Sequence, residues 1–320
     1  MDLKEIINRF SEQLSYEPKI ENSEAFVPKD KFIVCGMGGS NLAAEIIKIY
    51  QPEIDIIVHK DFGLPSIPDS ELGSRLVILS SYSGQTQETI DAFNSAQSSK
   101  FSLIVISGGG ELLKLAKDNG VPFIQLPVSD GVQPRLAIGL SLKATLKAME
   151  MEDALSDISK LTGHLNPADY ESQGHDLADK LKAKVPVAYS SVRNSGLAYI
   201  WKVNFNETAK TPLFYNVFPE LNHNEMLGFS GGDVLKNAHF IFLKDSQDDQ
   251  RIELRMDLTK KLLEDRGFAV EVLDLEGDSI WQKVLGSILL AQWSSYYLAQ
   301  NRGIDPSDLS MLEDFKKATK

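Results

Sequence analysis

Residues 31–50 read KFIVCGMGGSNLAAEIIKIY: an apolar run, a glycine-rich turn and a helix-forming stretch in unbroken succession. Lys31–Cys35 is short and nearly continuous in Phe, Ile and Val, as a strand covered on both faces is. The alternation continues outward from there. Apolar runs at Ile54–Val58, Arg75–Ser80, Phe101–Ser107 and Val121–Leu126 predict further strands, with helices at Asn41–Tyr50, Thr86–Ser98 and Glu111–Asn119 between them. The second half repeats the rhythm, with strands at Val185–Ser191, Ala238–Lys244 and Phe268–Leu275. Its helical patterns are Asn194–Asn206, Asp249–Arg266 and Ser279–Asn301. Strand and helix in alternation predict an α/β protein with doubly wound parallel sheets. Two domains are expected, at residues 1–160 and 161–320, connected through Gly163–Gly174 with its proline and polar residues. Pro306–Lys320 reads as one amphipathic helix with Leu309, Leu312 and Phe315 on one face.

Bulk properties narrow the function. The 320 residues are 42% hydrophobic and 24% charged, ample for two packed cores. A net charge of −12 opposes broad electrostatic binding to nucleic acid, yet leaves room for an anionic small ligand held by a few local donors. The single cysteine, Cys35, allows no intrachain disulfide and fits a cytoplasmic location. The opening MDLKEIINRFSEQL sets charges inside its apolar pattern and offers no small-residue cleavage site, so it does not read as a signal peptide. Residues 279–302 are apolar overall, but the longest unbroken run is Ile288–Ala291. A spanning helix needs roughly 18 such residues. The segment is expected to be a buried helix, in a core or at a subunit contact, with no membrane partner.

Two loops carry anion-binding chemistry. Cys35-Gly36-Met37-Gly38-Gly39-Ser40-Asn41 follows a strand and opens a helix. Glycines there let the backbone approach an anion, and the free amides of the helix start point toward it. The dinucleotide fingerprint is the competing reading. Its third glycine is replaced by Asn41, and Asp55 enters the second strand where an acidic residue should follow it. The second loop, Ser80-Ser81-Tyr82-Ser83-Gly84-Gln85-Thr86, offers hydroxyls from Ser81, Ser83 and Thr86 beside a helix N-terminus. Taken alone it is also what an N-capping loop looks like, with Ser83 or Thr86 as the cap. Two such loops at the carboxyl ends of strands in one sheet favour a phosphate, gripped by Gly39, Ser40, Ser81, Ser83 and Thr86.

Gly-Met-Gly-Gly-Ser followed in the next units by Ser-Tyr-Ser-Gly-x-Thr resembles the sugar isomerase (SIS) domain. More narrowly, the chain resembles the bifunctional phosphoglucose/phosphomannose isomerases of archaea and bacteria. Pro134-Arg135, Asn206-Glu207-Thr208-Ala209-Lys210 and Glu220-Leu221-Asn222-His223-Asn224-Glu225 match in order along nearly the whole chain. The resemblance implies two SIS-type domains, flavodoxin-like αβα sandwiches, acting on a hexose 6-phosphate without metal or cofactor. It also implies a homodimer in which a histidine reaches the neighbouring subunit's site.

Aldose–ketose isomerisation needs a group to open the sugar ring, a base to carry a proton between C1 and C2, and a cation to stabilise the enediolate. The resemblance makes Glu207 the base, at the end of an aromatic-rich helical stretch holding Tyr199, Trp201 and Phe205. The plainer reading is a helix-end glutamate paired with Lys210. His223 becomes the ring-opening group, with Glu225 and Asn222 near enough in sequence to fix its tautomer. Arg135, at the start of the helix expected at Leu136–Ala148, becomes the enediolate-stabilising cation. A lysine of the terminal helix would assist ring opening. Lys316 matches best, with Lys317 adjacent and, at a 100° helical step, unable to face the same site equally. Ser307 or Ser310 would supply the hydroxyl associated with mannose activity. Asn41 and Thr208 depart from the family pattern without removing a catalytic group. The alternative function is a non-catalytic SIS-type sugar-phosphate-binding module, which would need both loops but not Glu207, Arg135 and His223 together.

Overall fold

The structure, a computed structural model, describes residues 2–129, 131–231 and 235–319. It comprises two compact units, Asn8–Asn166, and Asp2–Ile7 together with Pro167–Lys320. The first helix, α1 (Leu3–Asn8), lends its residues up to Ile7 to the second unit, where Lys4 reaches Glu171 at 2.6 Å.

In the first unit the elements are β1 (Phe32–Cys35), α2 (Leu42–Tyr50), β2 (Ile56–His59), α3 (Asp69–Ser74) and β3 (Leu76–Ser81). They continue with α4 (Gln87–Ser98), β4 (Leu103–Ser107), α5 (Gly110–Asp118), β5 (Phe123–Gln125), α6 (Ile138–Ala148) and α7 (Glu152–Ser159). The sheet has the order β2-β1-β3-β4-β5 and every neighbouring pair is parallel. Ile33 and Cys35 on one face of β1, and Phe32 and Val34 on the other, are all buried. Helices on both faces are what make the strands read as continuous apolar runs. Beside β5, Glu21 closes the sheet edge through an antiparallel bridge to Phe123, with N–H to O distances of 2.8 and 3.1 Å. The order reverses at β1, so the crevice at the carboxyl ends of β1 and β3 is the ligand position for such a sheet.

The second unit contains α8 (Glu171–Leu181), β6 (Val185–Ser191), α9 (Ser195–Glu207), β7 (Phe214–Phe218) and α10 (Glu225–Gly228). Then come β8 (Ala238–Lys244), α11 (Gln250–Glu264), β9 (Ala269–Asp274), α12 (Ile280–Asn301) and α13 (Ser310–Ala318). Its parallel sheet has the order β7-β6-β8-β9. The chain steps from β6 to β7 through α9, and the opposite way from β8 to β9 through α11. Right-handed crossovers therefore place α9 and α11 on opposite faces. Val187, Tyr189, Phe240 and Phe242 form one face and pack with Met256 and Leu263 of α11 and with Leu221 and Phe229. On the other side, α9 is held to α12 by Trp201, whose indole donates to Ser287 at 3.0 Å.

Three features differ from the sequence reading. Strand β7 was not expected. Phe214 and Tyr215 are exposed and only Phe218 is fully buried, so this edge strand lacks the buried apolar run that marks the others. The stretch Gly163–Gly174 is not all connection, because α8 starts at Glu171. Gly174 looks like a helix breaker, but its role is contact. A Cβ there would lie 2.4 Å from the Trp293 Cβ, so glycine lets α8 press directly on α12. The terminal helix is shorter than Pro306–Lys320, and Met311, Leu312 and Phe315 on it are exposed. The apolar segment at 279–302 is α12, buried through Trp281, Leu285, Ile288 and Trp293. No helix among the described residues is long and apolar enough to cross a membrane.

Candidate active site

In the first unit, contacts at the carboxyl ends of β1 and β3 join the two loops. After β1 the chain makes a 3-10 turn at Gly38–Asn41 before α2. A Cβ on Gly39 would sit 2.6 Å from the Arg135 backbone N and 2.7 Å from Pro134, so only glycine allows the loop to lie against the Pro134–Arg135 turn. Ser40 is buried, and its Oγ accepts the Tyr82 N–H at 3.1 Å, tying the first loop to the second. Asn41 is fully buried and its Nδ2 donates to the Gly36 carbonyl at 3.3 Å, so it closes its own loop.

The second loop folds around Ser81. Its Oγ accepts the Gly84 N–H at 3.1 Å and shares a hydrogen bond of 2.9 Å with the Thr86 hydroxyl. Thr86 is thus turned toward Ser81 and makes no side-chain cap on α4. Ser83 is exposed, and its Oγ accepts the Gln85 N–H at 3.3 Å. Hydroxyls therefore line the entry to α4, whose first amides carry the positive end of the helix dipole.

Arg135 lies in the 3-10 turn Pro134–Leu136 and is 0% exposed. Gln13 clamps this turn onto α6: its Nε2 donates to the Leu136 carbonyl at 2.7 Å and its Oε1 accepts the Gly139 N–H at 3.0 Å. Gln133 accepts a hydrogen bond from the guanidinium. Burying a permanent cation is costly, so this position favours negative charge nearby. Neither Gln13 nor Gln133 stood out in the sequence, since a glutamine amide becomes meaningful only once its partners are known. The same sheet buries Cys35, and that burial pushes its thiol up to about 12, which removes it as a nucleophile.

In the second unit, Glu207 is the last residue of α9 and is half-buried. Lys210 donates to the backbone carbonyl of Glu207 at 2.6 Å. The following turn is tied down by Asn206, whose side chain accepts the Leu213 N–H at 2.9 Å, and by Arg302, which donates to Thr211 at 2.5 Å. His223 is exposed in the 3-10 turn Glu220–His223 that follows β7. Leu221 of that turn packs with the α11 layer, at the carboxyl end of β7, whereas α9 runs back between the parallel strands β6 and β7 and leaves Glu207 at their amino ends. The expected neighbours of His223 are engaged elsewhere. Asn222 donates to Thr259 at 2.8 Å, and Glu225 accepts from Tyr189 at 2.5 Å and from Asn216. Neither fixes the imidazole tautomer. Lys316 and Lys317 are both exposed on α13, with Lys317 3.6 Å from Asp314. Ser307 and Ser310 bond to Asp305 and Asp308 in local turns.

At the carboxyl end of the second sheet the place of a hydroxyl loop is taken by a closed ion pair. Asp245, 0% exposed, accepts from Lys283 at 2.8 Å and from Asn194 at 3.4 Å, while Asn194 also donates to Ser191 at 3.2 Å. Burial alone would raise the Asp245 carboxyl, but the bond from Lys283 and those from Gln247 and Asn194 hold it below the usual range. A carboxylate already accepting these donors opposes a second anion.

Comparison with known proteins agrees with this architecture. Residues 170–318 match the profile of the bacterial phospho-glucose isomerase C-terminal SIS domain. The chain is 30% identical over 328 residues to the bifunctional phosphoglucose/phosphomannose isomerase of Aquifex aeolicus, spanning 100% of this chain and 98% of that protein. It is 31% identical over 315 residues to the enzyme of the same name from Thermoplasma volcanium, spanning 97% and 99%. Among solved structures, glucosamine-6-phosphate deaminase from Thermotoga maritima shares the fold, with a TM-score of 0.65 at 19% identity over 95% of this chain and 96% of that one. Relatedness at this level along the entire length means that the chain belongs to the bifunctional phosphoglucose/phosphomannose isomerase family of SIS-domain proteins.

Proposed function

We propose that this chain interconverts glucose 6-phosphate and fructose 6-phosphate, and mannose 6-phosphate and fructose 6-phosphate, through a cis-enediolate. The observation that carries the reading is the junction in the first unit, where Gly39 seats the first loop on the Arg135 turn and Ser40 ties it to the second. The phosphate is received by Gly39, Ser40, Ser81, Ser83 and Thr86, and Arg135 stabilises the charge that develops on the enediolate oxygens. Glu207 moves the proton between C1 and C2, and His223 opens the ring by proton transfer to the ring oxygen. Lys316 assists that step. The reading places one phosphate site in each chain, which the carboxylate-filled edge of the second sheet supports.

The protein acts as a homodimer in this reading, in the cytoplasm, with each site drawing His223 from the neighbouring copy. Glu207 precedes β7 and His223 follows it, at opposite ends of the strand, and this separation within one chain supports sharing, because one substrate meets both most directly when they come from two chains. A coupled assay on glucose 6-phosphate and on mannose 6-phosphate, run with EDTA, tests the reading. Turnover of both is expected. Calorimetric binding of fructose 6-phosphate with no turnover of any hexose phosphate would replace it with a binding module.

A further inference from the structure

We propose that Glu225 is a positioning residue for His223, acting through a clamp built from Tyr189 and Asn216. The inference rests on the reading of His223 as the ring-opening group. Tyr189 and Asn216 are directly paired residues on β6 and β7. The Tyr189 ring packs among Phe218, Phe240 and Phe242, and its hydroxyl donates to Glu225 at 2.5 Å. A phenylalanine would fill the same space without needing an acceptor, so what the hydroxyl adds is the hold on Glu225. Asn216 is oriented by its own strand: its Oδ1 accepts the Val217 N–H at 2.8 Å, which leaves Nδ2 to donate to the other Glu225 oxygen. One carboxylate therefore bridges two paired strands and the first residue of α10.

Rigidity passes from Glu225 to His223 through a single residue. Asn224 accepts the Glu225 N–H on its Oδ1 and donates from Nδ2 to Glu220 at 2.6 Å. On the other side of His223, Asn222 is anchored to Thr259 of α11 at 2.8 Å. Both neighbours and the residue beyond are thus spent on fixing the backbone, while the imidazole itself is exposed. This arrangement suits a group that must be presented outward at a fixed angle to something beyond its own unit. A charge-assisted pair of bonds is stronger than neutral ones, so loss of the carboxylate loosens the whole turn.

The test is a double-mutant cycle on glucose 6-phosphate isomerisation in the full-length protein, with Glu225→Ala and His223→Ala. Glu225→Ala is expected to lower kcat by about ten- to a hundredfold with KM within about twofold, and to add less than about twofold in the His223→Ala background. A purely structural role would lower activity by the same factor in both backgrounds and would overturn the proposal, as would full activity of Glu225→Ala. Full activity of His223→Ala would overturn both this inference and the reading beneath it. If Glu225→Ala does not fold, Tyr189→Phe keeps the packing and removes one donor. It is expected to lose several-fold in kcat with the same non-additivity, and additivity there would overturn the proposal equally.

Discussion

Gly39 shows how much one missing side chain can decide. With a Cβ 2.6 Å from the Arg135 backbone N, the loop and the arginine turn cannot both keep their places. Gly39→Ala is expected to raise KM for fructose 6-phosphate at least tenfold and to destabilise the first unit by about 1–3 kcal/mol, the usual cost of overpacking. Steady-state kinetics and urea unfolding check this, and an unchanged KM would detach the first loop from the substrate. The loops themselves were legible as glycines and hydroxyls between strand and helix. What Ser40, Asn41 and Thr86 do there was not, because their partners Tyr82, Gly36 and Ser81 are chosen by the fold of the loop. Glu225 was misjudged for the same reason. His223 is two positions away in sequence, but the bond from Glu225 to Tyr189 spans 36 positions and exists only once β6 and β7 pair.

Among the elements, strands buried on both faces were readable because burial leaves a continuous apolar run, as in β1, β3, β6 and β8. Strand β7 escaped although it reads FYNVF, an apolar run broken only by Asn216, and its exposed Phe214 and Tyr215 mark it as an edge strand. The connection expected at Gly163–Gly174 ran too far because a glycine that admits a neighbouring helix, as Gly174 does, is indistinguishable in sequence from one in a loop. The link between β8 and α12 makes a prediction of its own. Asp245 is held charged below its ordinary range by its bonds, so its contribution to stability is present above the unfolded value of about 3.9 and is lost as pH falls through the lower folded one. Lys283→Met strands a buried carboxylate and is expected to cost about 3–5 kcal/mol at pH 7. Urea titrations from pH 7 to pH 3 should show the variant losing part of the wild-type's acid sensitivity. A loss below 1 kcal/mol at pH 7 would mean that water already screens the pair.

For the molecule as a whole, family and fold were legible from the order of motifs, whereas the shared-site homodimer came only as what the family resemblance implies, since no motif states which copy a side chain serves. Mixing inactive Glu207→Gln and His223→Ala subunits distinguishes the arrangements. If sites are shared, random exchange makes half the dimers mixed, each with one intact site of two, and activity should recover to about a quarter of wild type. Sites confined to one chain would give no recovery. The proton carrier is the heart of the account. The most direct measurement is conversion of fructose 6-phosphate in D2O with EDTA, reading deuterium at C2 of the glucose 6-phosphate formed, for wild type and Glu207→Gln. Deuterium should enter with the wild type, and Glu207→Gln should turn over at no more than about a thousandth of its rate while still binding the sugar phosphate, a barrier rise of about 4 kcal/mol. More than a tenth of the wild-type rate in that variant, or wild-type product carrying no deuterium at any pH, would contradict a solvent-exchanging proton on Glu207.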